Sequence, residues 1–568
     1  MAGPEGDRLL HVDMTTQTVS FEDYPAEWKL LGGRGLSAKI LKRDCDPACD
    51  PLGPDNVLVM APGVLSGSSA PTSGRISIGG KSPLTGGIKE ANSGGNPGQH
   101  LMKLGFRAIV VKGQPADRNK RYGLRVNGDT VEVVEADDYK GMWNYALCDK
   151  LLKGEPKTAS VISIGPAGEH MLSGASVACT DQDKERRPAR HAARGGLGAV
   201  MGSKGLKWVL VDPGKAPLRK AADAKAFTAL NKSKSKAYVE GPQMFKYGTS
   251  SVVPLANMLN TFVYKNRTEG QSPDVNNLDG ARIVESFETY GGGMHNCLTG
   301  CIVSCSNIVH DKEGNYKTSA LEFETLTLLG GSCAMEHWED VADLDRLCDE
   351  LGLDTIETGA AIAVLMDAGE MEWGDAEGAK KLFDEISEGT DLGRAVGNGA
   401  VAMGKRTGHK RVPHGRGQAI PAWDPPASQG HGRLLLHELA GCGSHRRIDR
   451  EPRDAARGYG AGRAGDPARE RRVRLLGILP VPRAGPRHDP RVLRPAVRRG
   501  SVAGSDRRPG LGDSPGRVGL QHRGGLEGRG QQALGLPRRR GHRSGSLAQV
   551  RRRSGYHRPG EGALRKSR

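Results

Sequence analysis

SGRISIGGKSPLTGGIKEANSGGNPGQHLMKLGFRAIVVK, residues 73–112, is the stretch on which the fold turns. Two β-rich runs, RISIGG and RAIVVK, stand on either side of a segment crowded with glycine, proline and asparagine. That alternation predicts strands joined by tight turns. The same rhythm extends over residues 1–210 through NVLVMAPGV, YGLRVNG, TVEVVEA, SVISIG and LKWVLVD, so this part reads as a β-rich domain. The nine glycines of the stretch, with Arg75, Asn92 and Asn96, can expose backbone N–H groups and carbonyls to a polyanionic ligand, because glycine permits close approach. A set of tight turns and nothing more would use the same residues. RHAARGGLGAVMGSKGLK (190–207) offers the same chemistry with Arg194. GGRGL at 32–36 lacks the G-x-G-x-x-G spacing and is not a dinucleotide fingerprint.

From about Ala222 the period changes. ADLDRLCDELG (342–352), DTIETGAAIAVLMDAGE (354–370) and AKKLFDEISEG place apolar residues at helical spacing, so residues 211–425 read as mainly helical. The chain is therefore expected to be a multidomain α+β protein.

The net charge of +17 lies at one end. From Pro426 onward there are 33 basic and 11 acidic residues, against 49 and 54 before it, so two compositions are joined. The tail has no Phe or Trp, one lysine (Lys566), one cysteine (Cys442) and abundant Arg, Gly and Pro. Such a composition buries too little apolar surface to offset chain entropy, and residues 426–568 are expected to be disordered or poorly packed. An Arg-rich tail can bind polyanions, but without RGG repeats, interleaved aromatics or zinc spacing a nucleic-acid role is disfavoured. Ten scattered cysteines, no apolar leader near Met1 and no apolar run of about 18–20 residues predict a soluble protein of a reducing cytoplasm without a membrane span.

MHNCLTGCIVSCSNIV, residues 294–309, sets Cys297, Cys301 and Cys305 four residues apart. Thiolates in a short, turn-containing segment suit an iron–sulfur cluster or zinc, and three buried structural cysteines are the plain alternative. Zinc is the weaker choice, because no histidine or second cysteine pair stands at finger spacing. A cubane takes four ligands, so a fourth is owed.

Together these segments carry a resemblance. GRISIGGKSPLTGG, EANSGG, ARGGLGAVMGSK, the three-cysteine segment, EFETLTLLGG and DELGLD follow one another in the order found in the tungsten-containing aldehyde:ferredoxin oxidoreductases. The chain resembles that family over residues 8–425. The resemblance implies a β-rich tungstopterin-binding domain and two helical domains, with one tungsten on two molybdopterin dithiolenes beside a [4Fe–4S] cluster held by Cys297, Cys301 and Cys305. It makes Arg75, Asn92 and Gly94 first-pterin contacts. Arg194 and Gly195 resemble the segment that helps hold a Mg2+ bridging the pterin phosphates. Asp349, Gly352, Leu353 and Asp354 match a second pterin element, which also reads as a helix end capped by Gly352. Glu322 and Glu324 match a carboxylate pair near the metal, with Glu324 the leading choice for the base and a solvated strand end the alternative. The first cysteine gap departs slightly, three residues here against two in many members.

The family's fourth cluster cysteine, its second D-x-x-G-x-C element and its active-site histidine belong to the C-terminal third, and none is present as written. The last matching segment is AIPAWDP, ending at Pro425. A one-base frameshift there is the economical expectation: codons for the tail read one base later permit a GADHTAG-like segment and a D-x-x-G-x-C element, which leaves Cys442 out of frame. Sequencing codons 420–430 tests it. The implied activity is oxidation of an aldehyde to a carboxylic acid, with electrons leaving through the cluster to ferredoxin or an iron–sulfur partner subunit, in an oligomer. Two other readings stand beside it: a benzoyl-CoA reductase-type subunit, and a catalytically dead remnant with a polyanion-binding tail.

Overall fold

The computed structural model describes residues 6–423, apart from residues 129 and 241–243. The Arg-rich tail, Cys442 and the inferred change of frame lie outside the described residues.

In the first half, strands β1 (Arg8–Asp13), β2 (Thr18–Asp23), β3 (Leu58–Pro62), β4 (Ile76–Lys81), β5 (Ile88–Ser93) and β6 (Phe106–Lys112) form one sheet in the order β2-β1-β6-β3-β4-β5. Strands β7 (Tyr122–Asn127), β8 (Thr130–Glu135), β9 (Ser160–Ser163), β10 (Val177–Cys179), β11 (Arg190–Ala192) and β12 (Leu206–Asp212) form a second, ordered β11-β10-β9-β12-β7-β8. Among the described residues only β1 with β6 and β12 with β7 pair in parallel. Each β-rich run of the sequence overlaps one of these strands.

The two sheets share one core. Leu10, Val12, Ile109 and Val111 point into it from the first sheet, and Val126, Ile162 and Val209 from the second. Their neighbours Leu9, Ala108 and Val110 face the other way, against Leu36, Ile40 and Leu41 of α1 (Gly33–Asp44). On the far side of the second sheet, Val161, Trp208 and Leu210 pack with Leu147, Cys148 and Leu151 of α3 (Asn144–Leu152), which follows α2 (Pro97–Lys103). With both faces covered, the central strands read as continuous apolar runs. Each fully buried Val, Leu or Ile contributes about 1.5–3 kcal/mol.

Two short helices, α4 (Pro166–Glu169) and α5 (Leu197–Ser203), complete this half. The second half carries α6 (Ala224–Val239), α7 (Met244–Tyr247), α8 (Val253–Met258) and α9 (Gly280–Tyr290). It then departs from the helical expectation: β13 (Gly292–His295), β14 (Ser306–His310) and β15 (Tyr316–Ser319) form a three-stranded antiparallel sheet. Helical periodicity counts apolar spacing and is blind to these short, half-polar strands. After α10 (Phe323–Thr325) the chain passes through a π-helical turn at Leu326–Gly330, then continues as α11 (Trp338–Leu351), α12 (Thr355–Asp367), α13 (Ala376–Glu388), α14 (Asp391–Gly397) and α15 (Ala400–Thr407). Helix α11 buries Val341, Leu344, Cys348 and Leu351 along one stripe. Helix α12 is buried from Ile356 to Met366, which suits its apolar composition all round.

The halves meet backbone to backbone. Gly352 closes α11 in the left-handed conformation (φ 74°), Ser176 N donates to its carbonyl (2.8 Å), and Asp354 N donates to Gly174 O (3.0 Å). A bridge between Ala175 and Leu353 lies between them. Gly352 is thus a helix cap, and the chain it releases is clamped at once onto the second sheet.

Glycine also sets the approach of α4 to α5: a Cβ on Gly202 would fall 1.9 Å from the Gly168 carbonyl oxygen. Gly→Ala inside a helix normally stabilises by roughly 0.5–1 kcal/mol. Gly202→Ala is expected to do the opposite, costing about 1–3 kcal/mol and lowering Tm; an unchanged or raised Tm would show that the two helices do not touch there.

Candidate active site

The cysteine segment is a loop. Four-residue spacing would stack three thiols on one helical face, but residues 296–305 instead connect β13 and β14, whose last pair is His295 with Ser306. The N-terminal half holds this loop mainly by its backbone. Gly95 N donates to Cys297 O (2.9 Å) and Thr72 N to Gly300 O (2.9 Å). Gln99 Nε2 donates to Thr299 O (3.0 Å) and Gln182 Nε2 to Asn296 O (2.8 Å). Asn96 Oδ1 accepts from Thr299 N (3.2 Å) and Oγ1 (2.9 Å). A Cβ on Gly94 would stand 3.0 Å from Cys297 Sγ, so glycine there lets the two segments meet. The glycine-rich stretch and the cysteine loop form one continuous surface.

A hydrogen bond between Cys297 and Cys301 pushes the Cys297 thiol up and draws Cys301 down to about 5, while burial pushes Cys305 up to about 11. That hydrogen bond favours the thiolate at Cys301 over Cys297, and the thiolate is the form that binds metal. Among the described residues no three His, Cys, Asp or Glu side chains are gathered as a single ion would require. The surroundings suit a larger anionic group. Arg190, 7% exposed, sets Nε 2.9 Å from Asp181 Oδ2, while its Nη2 is buried without a hydrogen-bond partner. His295 Nε2 lies 2.9 Å from the same Asp181 oxygen, and its Nδ1 is also buried and unpartnered. Despite burial, the charge of Asp181, with those of Glu322 and Asp349, holds Arg190 protonated. The unsatisfied Arg190 donor beside the thiols fits an iron–sulfur cluster, whose sulfurs accept hydrogen bonds.

The residues matched to pterin contacts fall into groups along the same seam. Arg75 and Asn92 pair beside Gly94: Arg75 Nη2 donates to Asn92 O (3.0 Å) and Nε to Asn92 Oδ1. Arg194 Nε meets Asp354 Oδ2 (3.1 Å), and its Nη2 donates to Ala419 O (2.6 Å) and stands 3.5 Å from Glu357 Oε2. Asp354 also caps α12 by accepting from Ile356 N (3.1 Å). Gly195 O accepts from Ser82 Oγ (2.8 Å), joining the two glycine-rich segments. Asp349 lies 3.0 Å from His191 Nε2 and accepts from the Tyr145 hydroxyl (3.3 Å).

Glu322 and Glu324 stand half-buried at the start of α10, not on a solvated strand end, and desolvation raises both carboxyls. Glu324 spends both oxygens on the Ala422 and Trp423 amides (2.7 and 3.1 Å). Glu322 accepts from Thr249 Oγ1, and the charges nearest it are Arg190, Arg75 and His295. Burial lifts Glu357 to about 7, although it accepts from Ala400 N and Ala419 N and faces Arg194. Asp181, Arg190, His191, His295 and Glu357 carry no motif of their own. Arg190 and His191 stand inside the quoted 190–207 stretch, and nothing in the sequence marks Asp181.

A thiol loop set against a glycine-rich surface has the donor set that a redox cofactor would use. Residues 9–213 match the family model "Aldehyde ferredoxin oxidoreductase, N-terminal domain" and residues 225–466 the model for "domains 2 & 3", the latter running past Pro425. The tungsten-containing aldehyde ferredoxin oxidoreductase of Pyrococcus furiosus is 31% identical over 461 residues, which cover 77% of this chain and 73% of that protein. The Thermococcus kodakarensis enzyme of the same description is 31% identical over 77% and 73%. An aliphatic sulfonate oxidoreductase WOR-like subunit of Pyrococcus furiosus is 28% identical over 69% and 66%. The solved active-site complex BamBC of benzoyl-coenzyme A reductase shares the fold, with a TM-score of 0.64 and 21% identity over 78% of this chain and 70% of that one. The chain belongs to the aldehyde ferredoxin oxidoreductase family of oxidoreductases. Among the described residues no helix is long and apolar enough to cross a membrane.

Arg190→Met leaves Asp181 charged and buried with His295 alone, and is expected to cost about 3–5 kcal/mol in urea denaturation. Adding Asp181→Asn should recover part of that loss; strictly additive losses would show that the pair is not coupled. Glu357 should make stability fall with rising pH. Its folded value near 7 exceeds the ordinary 4.5, so the proton binds more tightly in the folded state. Stability fully present below about 4.5 is lost at up to about 1.4 kcal/mol per pH unit until pH passes 7. Glu357→Gln should flatten that part of the Tm-versus-pH curve, and an unchanged slope would acquit Glu357.

Proposed function

We propose that the chain is the tungstopterin subunit of an aldehyde-oxidising enzyme, in which an aldehyde and water give a carboxylic acid, two protons and two electrons. The observation that carries this reading is the continuous surface joining the glycine-rich stretch to the cysteine loop, across which Gly94 lies against Cys297. When bound, a tungsten on two pterin dithiolenes supplies a two-electron acceptor, and a [4Fe–4S] cluster supplies the one-electron exit to ferredoxin or an iron–sulfur partner subunit.

Arg75, Asn92 and Gly94 on one side, and Arg194, Gly195, Asp349, Gly352, Leu353 and Asp354 on the other, would hold the pterins, with Mg2+ beside Arg194 and Gly195. Cys297, Cys301 and Cys305 would be three ligands of the cluster, and Arg190 would supply a free N–H group to its sulfurs. Glu322 is assigned the base that takes the proton of the attacking water. Its raised carboxyl and single hydroxyl partner leave an oxygen to accept that proton. Glu324, with both oxygens held by amides, positions the turn that carries Glu322.

Protein produced with tungstate is expected to contain about one tungsten and about four irons per chain, and to reduce a viologen dye with aldehydes but not with benzoyl-CoA. Glu322→Gln should lower kcat by about 10²–10⁴ at unchanged metal content. Turnover of benzoyl-CoA alone would transfer the chain to ring reduction; metal-free protein with salt-sensitive RNA binding would support the inactive remnant.

A further inference from the structure

A second pair of thiols lies away from the seam. Cys45 caps the C-terminus of α1, and Cys49 follows in the next turn. Their Sγ atoms are 3.7 Å apart. Cys45 is half-buried and Cys49 is 9% exposed, so one thiol can meet a small reagent from solvent while the other waits behind it.

The backbone around the pair is pinned from several sides. Lys81 Nζ donates to Pro47 O (2.6 Å) and Cys49 O (2.5 Å). Asn56 donates through Nδ2 to Pro51 O (2.6 Å) and accepts through Oδ1 from Lys81 N (3.0 Å). Lys204, fully buried, donates to Gly53 O and Pro54 O (3.0 Å each). Burial pushes the Cys49 thiol up to about 11, which suits it to follow as the second, resolving thiol behind the more exposed Cys45. A disulfide needs an S–S distance of about 2.05 Å. Side-chain rotation can supply the remaining approach while the pinned backbone keeps the two residues together.

We propose that Cys45 and Cys49 are a thiol–disulfide site that closes reversibly on meeting a small-molecule disulfide such as oxidised glutathione. The Cys45 thiolate attacks one glutathione sulfur, forming a mixed disulfide and releasing one glutathione thiolate. The Cys49 thiolate then attacks Cys45 Sγ and releases the second. Two protein thiols are oxidised to one disulfide, and one glutathione disulfide is reduced to two thiols, so electrons and protons balance. The site is independent of tungsten chemistry. It sits one residue from that machinery nonetheless: Lys81, bonded to Cys49 O, precedes Ser82, which holds Gly195 O.

The test uses the full chain incubated with oxidised glutathione, blocked with an alkylating agent and digested with trypsin without reduction. Cys45 and Cys49 are the only cysteines between the cleavage sites at Arg43 and Arg75. The expected result is that peptide, unalkylated and lighter by two hydrogen atoms than its dithiol form, restored by dithiothreitol. Cys45→Ser should abolish the mass loss. Full alkylation of both cysteines in the treated wild-type chain would overturn the proposal. A stable glutathione adduct on Cys45 without closure would do the same.

Discussion

Charge withdrawn from water is the constraint around which the seam is built. Asp181, Arg190, Asp349, Asp354 and Glu357 are each more than nine-tenths buried, and a lone ion in such a place costs several kcal/mol. Each is therefore given a partner from a distant part of the chain: Asp181 takes Arg190 and His295, Asp349 takes His191, and Asp354 shares Arg194 with Glu357. These pairs do not need to outweigh an apolar seam to matter. Losing one side strands the other, so they admit only the arrangement in which the β11 segment, the end of α11 and the start of α12 converge.

The cysteine loop depends on that arrangement. Its own apolar packing is confined to Cys297, Leu298 and Cys301, with Val303 beside them, too little to define ten residues of irregular backbone against their conformational entropy. What defines it is borrowed: the donors at Thr72, Gly95, Gln99 and Gln182, and the acceptor at Asn96, all belong to the sandwich. The cysteine loop is thus shaped by the half that carries the glycine-rich stretch.

Much of this was legible in the chain. Strand-and-turn rhythm gave away both sheets, because a strand buried on both faces must be apolar throughout. Ordered motifs marked Arg75, Asn92, Gly94, Arg194, the DELGLD junction and the three thiols. The turn-containing reading of the cysteine segment agrees with the loop formed by residues 296–305, although i, i+4 spacing by itself would also suit a helix face. The two glutamates also differ in their partners: Glu324 is occupied by the Ala422 and Trp423 amides, nearly a hundred residues away in the chain, a fact no local pattern holds.

Local periodicity and motif order therefore determined the α+β layers, the family and the residue types brought to the site, because those depend on side chains near one another in sequence. Which charges are buried together was decided only by the tertiary structure. Asp181, Arg190 and His295 meet from three separate segments, and their hydrogen-bonding capacity beside Cys297 exists only once the sandwich and the helical half have closed on each other and excluded water.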